Sequence, residues 1–276
     1  MEAKATFTRT VRGDFQIGVN YPFFLAILGV TLGFFFDNLQ DLRVSINQSL
    51  INADDSPICV MYYVFNSLSF GGVFTEYFSA TMAAIPFSAN YCRELNDGVS
   101  IYKISRCGQR TYVRSKFLVT AVLGGSTLFF GGLVFMLLLR SYLPIVTDEK
   151  LLESQWIPFF HALTIGDGAP YLAIVLYLSF LTGGLWGSVG LCASAYFPSS
   201  YVSVCFPFIF RFLLVQIGRL LKLPSGMRLD RLLAARGTIY SDSVTIVTTT
   251  VMVLVVIFLC YRLFTRRMVR RIWDGE

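Results

Sequence analysis

Residues that could carry out catalysis are scarce and scattered in this sequence. His161 is the single histidine, and no serine or cysteine stands with it in a pattern of nucleophile and base. The cysteines lie far apart without a C-x-x-C pair, which favours neither a zinc site nor a disulfide framework. There is no H-E-x-x-H and no G-x-x-x-x-G-K-[ST] motif. We therefore expect a chain that is not an enzyme and binds no metal or cofactor itself.

One acidic residue, Glu76, lies well inside an apolar stretch, close to Thr75, Ser79 and Thr81. An ionised carboxylate at bilayer depth costs about 2.5–3.5 kcal/mol on insertion scales, so such residues commonly face a cavity, a partner or the interface. We predict that Glu76 lines a substrate pathway or a subunit interface. A position one turn below the outer surface, with no functional role, is the open alternative.

Glycines form the second pattern within the apolar stretches. Gly183 and Gly187 make a G-x-x-x-G motif, and further small residues stand at Gly184, Gly190, Gly124-Gly125 and Gly131-Gly132. Small residues let helix backbones approach closely. The motif predicts tight helix packing, either within one chain or between two, and we include Gly183 and Gly187 among the candidate pathway or interface residues.

The composition is that of a membrane protein. Hydrophobic residues make up 55% of the 276 residues and charged residues 14%, with a mean hydropathy of +0.61, whereas soluble domains carry about 25% charged residues. This balance excludes a soluble enzyme. We interpret the net charge of +6 as the result of basic residues that are concentrated in cytoplasmic loops, and not as a nucleic-acid-binding surface.

The apolar runs predict an all-α fold with six transmembrane helices in a single transmembrane domain over residues 1–276. Each run reaches the length of about 20 residues that crosses a bilayer. The predicted spans cover about 17–36, 60–91, 117–139, 171–196, 201–221 and 244–264. The second is longer than one crossing needs and contains Gly71-Gly72, so it has room to begin as an interfacial segment.

Charge asymmetry predicts that both termini are cytoplasmic. Basic residues cluster before the first span, after the last span and between spans two and three, whereas the loop after span one is acidic. The segment 222–240 disagrees with this topology, because the segment and the adjacent Arg219 place basic residues on the outer side of the membrane. Its apolar and charged residues alternate, which predicts an amphipathic segment lying in the outer interface; an ordinary solvated loop is the alternative.

The stretch 93–116 between spans two and three has the features of a short surface helix. Gly98 and Gly108 bracket Ser100 to Arg106. Within it, Ile101 and Ile104 are spaced to share one helical face, while Lys103 and Arg106 lie on others. A merely solvated amphipathic loop is the alternative interpretation.

This stretch resembles the permease subunits of type 2 ATP-binding-cassette transporters. Their pattern is an acidic residue leaving span two, a glycine four residues later, a short helix, then a basic residue, an aromatic residue and a lysine entering span three. Glu94, Gly98, Arg110, Tyr112 and Lys116 occupy these positions, and Gln109 departs from the usual small polar residue. The predicted six spans with cytoplasmic ends agree with the family over nearly the whole chain.

The resemblance implies the membrane-spanning subunit of an exporter in a bacterial cytoplasmic (plasma) membrane. Its expected partners are a separate ATPase chain that holds ATP and Mg²⁺, a second permease subunit and membrane lipid, with no nucleic acid. The residues expected to couple to the ATPase are Glu94, Gly98, Ile101, Lys103, Ile104, Arg106, Arg110, Tyr112 and Lys116. An importer is disfavoured because there is no E-A-A-x-x-x-G loop.

Two other functions are compatible with the sequence. A non-transporting membrane scaffold or assembly factor could use the same basic loop to recruit a different partner. A proton-coupled secondary transporter would depend on Glu76 alone, and no inverted repeat is visible. The Phe-rich spans suit a lipid-like or amphipathic peptide cargo, but they equally suit contact with lipid.

Overall fold

The computed structural model describes residues 2–43, 59–67, 72–143, 159, 162, 168–222, 224, 226, 228–235, 239 and 241–274. These residues form helices and no strand, which confirms the predicted all-α class. The helices are α1 (Glu2–Gly18), α2 (Tyr21–Asp37), α3 (Val60–Val64), a π-helical turn (Phe74–Phe78), α4 (Ser79–Ala84), α5 (Asn90–Asn96), α6 (Val99–Cys107), α7 (Gln109–Arg140), α8 (Ala169–Tyr196), α9 (Ser200–Leu220), α10 (Leu229–Leu233) and α11 (Asp242–Asp274).

Four helices, α7, α8, α9 and α11, are long and apolar enough to cross a membrane, and the pair α1–α2 makes a fifth crossing if it counts as one bent span. They indicate a membrane-embedded chain. The predicted spans 117–139, 171–196, 201–221 and 244–264 coincide with the four long helices, and most of 17–36 lies in α2. The described residues therefore contain four or five candidate crossings where the sequence predicts six.

The bend between α1 and α2 is 58° and has a local cause. The side chain of Asn20 accepts a hydrogen bond from the backbone N–H of Tyr21 at 2.8 Å and caps the start of α2. Pro22 follows within the first turn, where its missing N–H is tolerated. Because a new helix starts here, α1 leaves the axis of α2.

The stretch predicted as span two is divided into several short helical segments among its described residues. Asp37 at the end of α2 accepts hydrogen bonds from the backbone N–H groups of Phe74 and Thr75, at 2.9 and 3.2 Å. Gly72 lies so close that a Cβ placed there would be 1.9 Å from the Asp37 carboxylate. Beyond α4, a turn over 85–89 that contains Pro86 separates it from α5.

The centre of the bundle is the contact between α7 and α8. A Cβ on Gly183 would lie 2.1 Å from the backbone oxygen of Gly124, and one on Gly187 would lie 3.0 Å from the backbone oxygen of Thr120. The two backbones therefore touch with no side chain between them. This arrangement accounts for Gly183 and Gly187 by packing within one chain.

The two terminal helices meet at one end of the bundle, which we call the α6 end. Asp14 of α1 contacts Lys116 at the start of α7, with 2.9 Å between oxygen and nitrogen. In the second half of α11, the ring of Phe264 lies 5.0 Å from that of Tyr91 in the first turn of α5. The first helix, the last helix and the 93–116 stretch thus share one end.

Candidate functional site

The helix predicted over Ser100 to Arg106 is present as α6 and lies between two left-handed glycines. Gly98 has φ +69° and Gly108 has φ +79°. Side chains other than glycine are strained in such a backbone conformation, and no atom lies within 4 Å of a Cβ built at either residue. Backbone geometry, not crowding, therefore requires glycine at both ends of α6.

The outer face of α6 exposes apolar side chains. Ile101 and Tyr102 are 70% and 71% exposed, whereas Ile104 packs against the hydrophobic core. The expected shared face of Ile101 and Ile104 is therefore divided, since one isoleucine faces outward and the other faces the bundle. Four arginines of the 93–116 stretch are also exposed: Arg93, Arg106, Arg110 and Arg114.

A buried cluster of opposite charges, which we call the ion cluster, lies beneath α6. The side chain of Lys116 is fully buried, and its Nζ lies 2.9 Å from Asp14 Oδ1 and 2.6 Å from Glu94 Oε1. Lys103 Nζ lies 2.7 Å from the same Glu94 oxygen and 3.5 Å from Asp14. Two ammonium groups are thus matched by two carboxylates.

Neutral donors complete the ion cluster. The hydroxyl of Tyr112 donates to Glu94 Oε2 at 2.6 Å, and that of Ser115 donates to Asp14 Oδ2 at 2.6 Å. Asn90 Nδ2 donates to Glu94 Oε1 at 3.0 Å. Buried charges are tolerated when they are paired and hydrogen-bonded in this way. The cluster therefore joins α1, α5, α6 and α7 through directional contacts.

Three of the predicted coupling residues contact one another inside the chain. Glu94, Tyr112 and Lys116 are buried and bind one another inside the chain. Lys103, expected to attract a partner, directs its ammonium group to Glu94 and is only partly exposed. Ile101, Arg106 and Arg110 are the predicted coupling residues whose side chains are exposed.

Burial by itself raises the pKa of the Glu94 carboxyl, but the charge of Lys116 and hydrogen bonds from Lys103, Lys116 and Tyr112 outweigh it. The pKa of Glu94 therefore lies below its ordinary value of 4.5. A carboxyl whose pKa is lower in the folded state stabilises the fold above its unfolded pKa. That contribution is lost as the pH falls through the folded pKa.

We therefore expect the purified chain to lose unfolding free energy as the pH falls below 4.5, because protonation of Glu94 weakens its hold on Lys116 and Lys103. Unfolding midpoints measured in detergent across this range test the prediction. Glu94→Gln should flatten the loss, and Asp97→Asn, which removes an exposed carboxyl at the end of α5, is the control. An unchanged pH profile in Glu94→Gln would contradict the assignment.

Glu76 lies in the π-helical turn, towards the end of the bundle opposite α6. Its Oε1 is 3.5 Å from Nη2 of Arg219 near the end of α9. The Glu76 side chain is 20% exposed and that of Arg219 is 55% exposed, so the pair contributes little to stability. Its neighbour Thr75, but not Glu76, lines the cavity described below.

The described part of 222–240 packs against the bundle. Leu232 and Leu233 of α10 are buried, and Arg228 donates to both carboxylate oxygens of Asp230, at 3.3 and 2.6 Å. Among the basic residues that conflict with the charge asymmetry, Arg219 and Arg228 thus have carboxylate partners. Arg236 lies outside the described residues, as does His161.

A cavity of about 40 Å³ lies between α2, α4, α7, α8, α9 and α10. Arg211 reaches it from the middle of α9, and Trp186 reaches it from α8. The guanidinium carbon of Arg211 is 5.9 Å from the centre of the Trp186 ring. Four hydroxyl side chains and one carboxylate complete the polar lining of the cavity: Thr75, Ser79, Ser179, Thr182 and Asp230.

The sequence matches no protein family model, no curated protein and no solved structure. The observations that bear on function are therefore the outer face of α6, the ion cluster and the cavity.

Two of the charged residues described above were not predicted from the sequence. Asp14 lies in the polar segment before the first apolar run, where nothing distinguishes it from its neighbours. Arg211 did leave a signal, because it is a charge in the middle of the run 201–221, whose other charge, Arg219, lies near its end. The flanking phenylalanines and leucines keep the hydropathy of that run high enough to hide it.

Proposed function

We propose that this chain is the membrane-spanning subunit of an ATP-driven exporter of the ATP-binding-cassette type. Two such subunits form the pathway, and separate ATPase chains dock on α6. In this proposal the α6 end is cytoplasmic, together with both termini, and the divided stretch 60–91 completes a sixth crossing. The observation that carries the proposal is the exposure of Ile101 and Tyr102 on a helix that lies between two glycines and binds the bundle through Lys103.

The surroundings of this apolar pair favour a protein partner over lipid. Arg106 on the same helix and Arg110 in the first turn of α7 are exposed, and arginines are costly in hydrocarbon, so this face belongs outside the lipid core. Exposed apolar side chains rimmed by charge are typical of a docking site, in which the apolar centre supplies most of the affinity. The arginines favour an ATPase surface of acidic character.

The ion cluster supports the transmission of ATPase motion from α6 to the spans. Lys103 on α6 binds Glu94 on α5, and Glu94 in turn binds Lys116 on α7. Because Lys116 and Glu94 are buried and fully paired, a displacement of α6 carries α5 and α7 with it. A helix attached through the two glycines alone would move without them.

The experiment measures ATP hydrolysis that copurifies with the affinity-tagged chain. We expect Ile101→Asp to reduce it about tenfold or more, since a buried unpaired carboxylate costs several kcal/mol at an interface. Tyr142→Asp is the matched control, because Tyr142 is 87% exposed just beyond the far end of α7. It should leave the copurifying activity unchanged.

Two outcomes would contradict the exporter assignment. If the wild-type chain copurifies no Walker-type ATPase, the scaffold function is favoured. If Ile101→Asp and Tyr142→Asp both retain the ATPase at wild-type levels, the partner docks elsewhere and α6 is not the coupling element.

A further inference from the structure

We propose that the exposed face near the end of α11 binds an anionic phospholipid, whose phosphate contacts Arg262 and Arg266 and whose acyl chains lie along the apolar turns before them. The inference goes beyond the proposed function, because it requires only that α11 crosses a membrane and involves neither ATP nor an ATPase. It rests on an apolar surface and a cationic surface that follow each other on one face of a single helix.

The face changes from apolar to cationic within one turn. Its residues are spaced four apart, so each lies on the turn next to its neighbour on the same side of the helix: Leu254, Phe258, Arg262, Arg266 and Arg270. All five side chains are exposed. The guanidinium carbon of Arg262 lies 5.8 Å from the centre of the Phe258 ring, which places the first charge at the border of the apolar surface.

The cationic turns have no counter-charge among the described residues. Five arginines stand within residues 262–271, since the less exposed Arg267 and Arg271 accompany the three exposed ones. No ion pair within the described part of the chain includes any of them. Like charges four residues apart repel each other on a helix. An anion that binds between the exposed arginines reduces this repulsion, which favours a negatively charged ligand.

A shallow groove of about 460 Å³ runs over the three exposed arginines. The other described residues of its lining are Tyr261, Thr265 and Val269, so the described lining contains no carboxylate. The Thr265 hydroxyl donates to the backbone oxygen of Tyr261 at 2.7 Å, and its proton is therefore not available to an anion. The guanidinium groups provide the charged donors, and arginine binds phosphate in a bidentate manner.

The depth of the arginines suits a lipid head group. From Val244 to Tyr261, α11 rises about 26 Å, close to the hydrocarbon thickness of about 30 Å. Arg262 therefore lies near the edge of the hydrocarbon, and Arg266 lies about 6 Å further out. The head-group layer on each side is about 5–8 Å thick, so both arginines reach the phosphates of one leaflet. Phe258 continues the same surface towards the acyl chains, which favours a lipid over a soluble anion.

The first test compares two lipids that differ in head-group charge. Displacement of a fluorescent phosphatidylglycerol from the purified chain in dodecyl maltoside is measured with unlabelled dioleoyl lipids. We expect phosphatidylglycerol to bind at least about tenfold more tightly than phosphatidylcholine, whose choline group neutralises the phosphate. Equal affinity of the two lipids overturns the proposal, because acyl-chain contact alone would then explain binding.

Variants then locate the site. Arg262→Gln with Arg266→Gln should weaken phosphatidylglycerol binding about tenfold or more. Arg262→Lys with Arg266→Lys should retain part of it, since lysine keeps the charge but loses bidentate binding. The matched control is Arg93→Gln with Arg114→Gln, which removes two exposed arginines from the same end of the bundle outside the groove and should bind as the wild type does. Wild-type affinity in the double glutamine variant of α11 overturns the site.

Thermal unfolding separates binding from folding. Without added lipid, the double glutamine variant of Arg262 and Arg266 should unfold at the wild-type temperature, because both side chains are exposed. A lower temperature would identify the two arginines as structural and overturn the site. Relative to phosphatidylcholine, phosphatidylglycerol should raise the unfolding temperature of the wild type and not that of the variant. An equal rise in both would also overturn it.

Glycerol 3-phosphate and polyglutamate distinguish the lipid from other anions. Neither should displace the fluorescent lipid at about a hundredfold excess, because neither has acyl chains that could cover the apolar turns. Displacement by glycerol 3-phosphate would assign the groove to a free phosphate, and displacement by polyglutamate would assign it to an acidic protein. Either result overturns the lipid. Because no ATPase is present, these outcomes are independent of docking on α6.

Discussion

Replacing Lys116 with methionine should lower the free energy of unfolding by about 3–5 kcal/mol, the range observed when one partner of a buried ion pair is removed. Methionine preserves most of the volume and removes the charge. Asp14 and Glu94 would then remain buried, with Lys103 as their one ammonium partner in the ion cluster. Unfolding of the purified chain in detergent micelles by guanidinium measures the loss.

Arg114→Met is the matched control for this variant. Arg114 lies two residues earlier on α7 and is exposed, so its loss should change the unfolding free energy by no more than about 0.5 kcal/mol. The double variant Lys116→Met with Glu94→Gln should recover part of the stability, because it removes a carboxylate together with its partner. Equal stability of Lys116→Met and Arg114→Met would refute a structural ion cluster.

Gly183→Ala should destabilise the chain by about 3 kcal/mol or more, towards the upper end of overpacking effects. The added Cβ would stand 2.1 Å from the backbone oxygen of Gly124 and 2.9 Å from Cα of Gly125. Neither backbone atom can rotate away, so α7 and α8 would have to separate. Thermal unfolding in detergent, monitored by circular dichroism, measures the effect.

Gly13→Ala provides the comparison. Gly13 is also helical, and no atom lies within 4 Å of a Cβ placed there. Alanine at such a position should raise helix stability by up to about 1 kcal/mol. If the two variants shift the unfolding temperature equally, helix propensity and not the α7–α8 contact explains Gly183.

The long helices and α6 could be predicted from the sequence because their determinants are local. A continuous apolar run is sufficient to locate α8 or α11, and Gly98 and Gly108 mark the ends of α6. The short segments into which the predicted span two is divided could not be predicted from local sequence. They depend on Asp37, which caps the backbone of Phe74 and Thr75 from another helix.

The ion cluster and the cavity were beyond prediction for a related reason. Their contacts join residues far apart in sequence, as when Arg211 meets Ser79 or Lys116 meets Asp14. Residue type indicates that such a charge needs a partner but does not identify it. Of the five residues on which the resemblance rests, three are joined through Glu94, which accepts hydrogen bonds from Tyr112 and Lys116.

The position of Asp14 near the start of the chain has a consequence for biosynthesis. Its partners Ser115 and Lys116 lie 101 and 102 residues later. At about 5–20 residues per second, a ribosome needs on the order of 5–20 s to make them after Asp14. For most of that interval Lys103, the other ammonium partner of Asp14 at 3.5 Å, has not been made either. Complete docking of α1 on the ion cluster must therefore wait until the start of α7 has emerged.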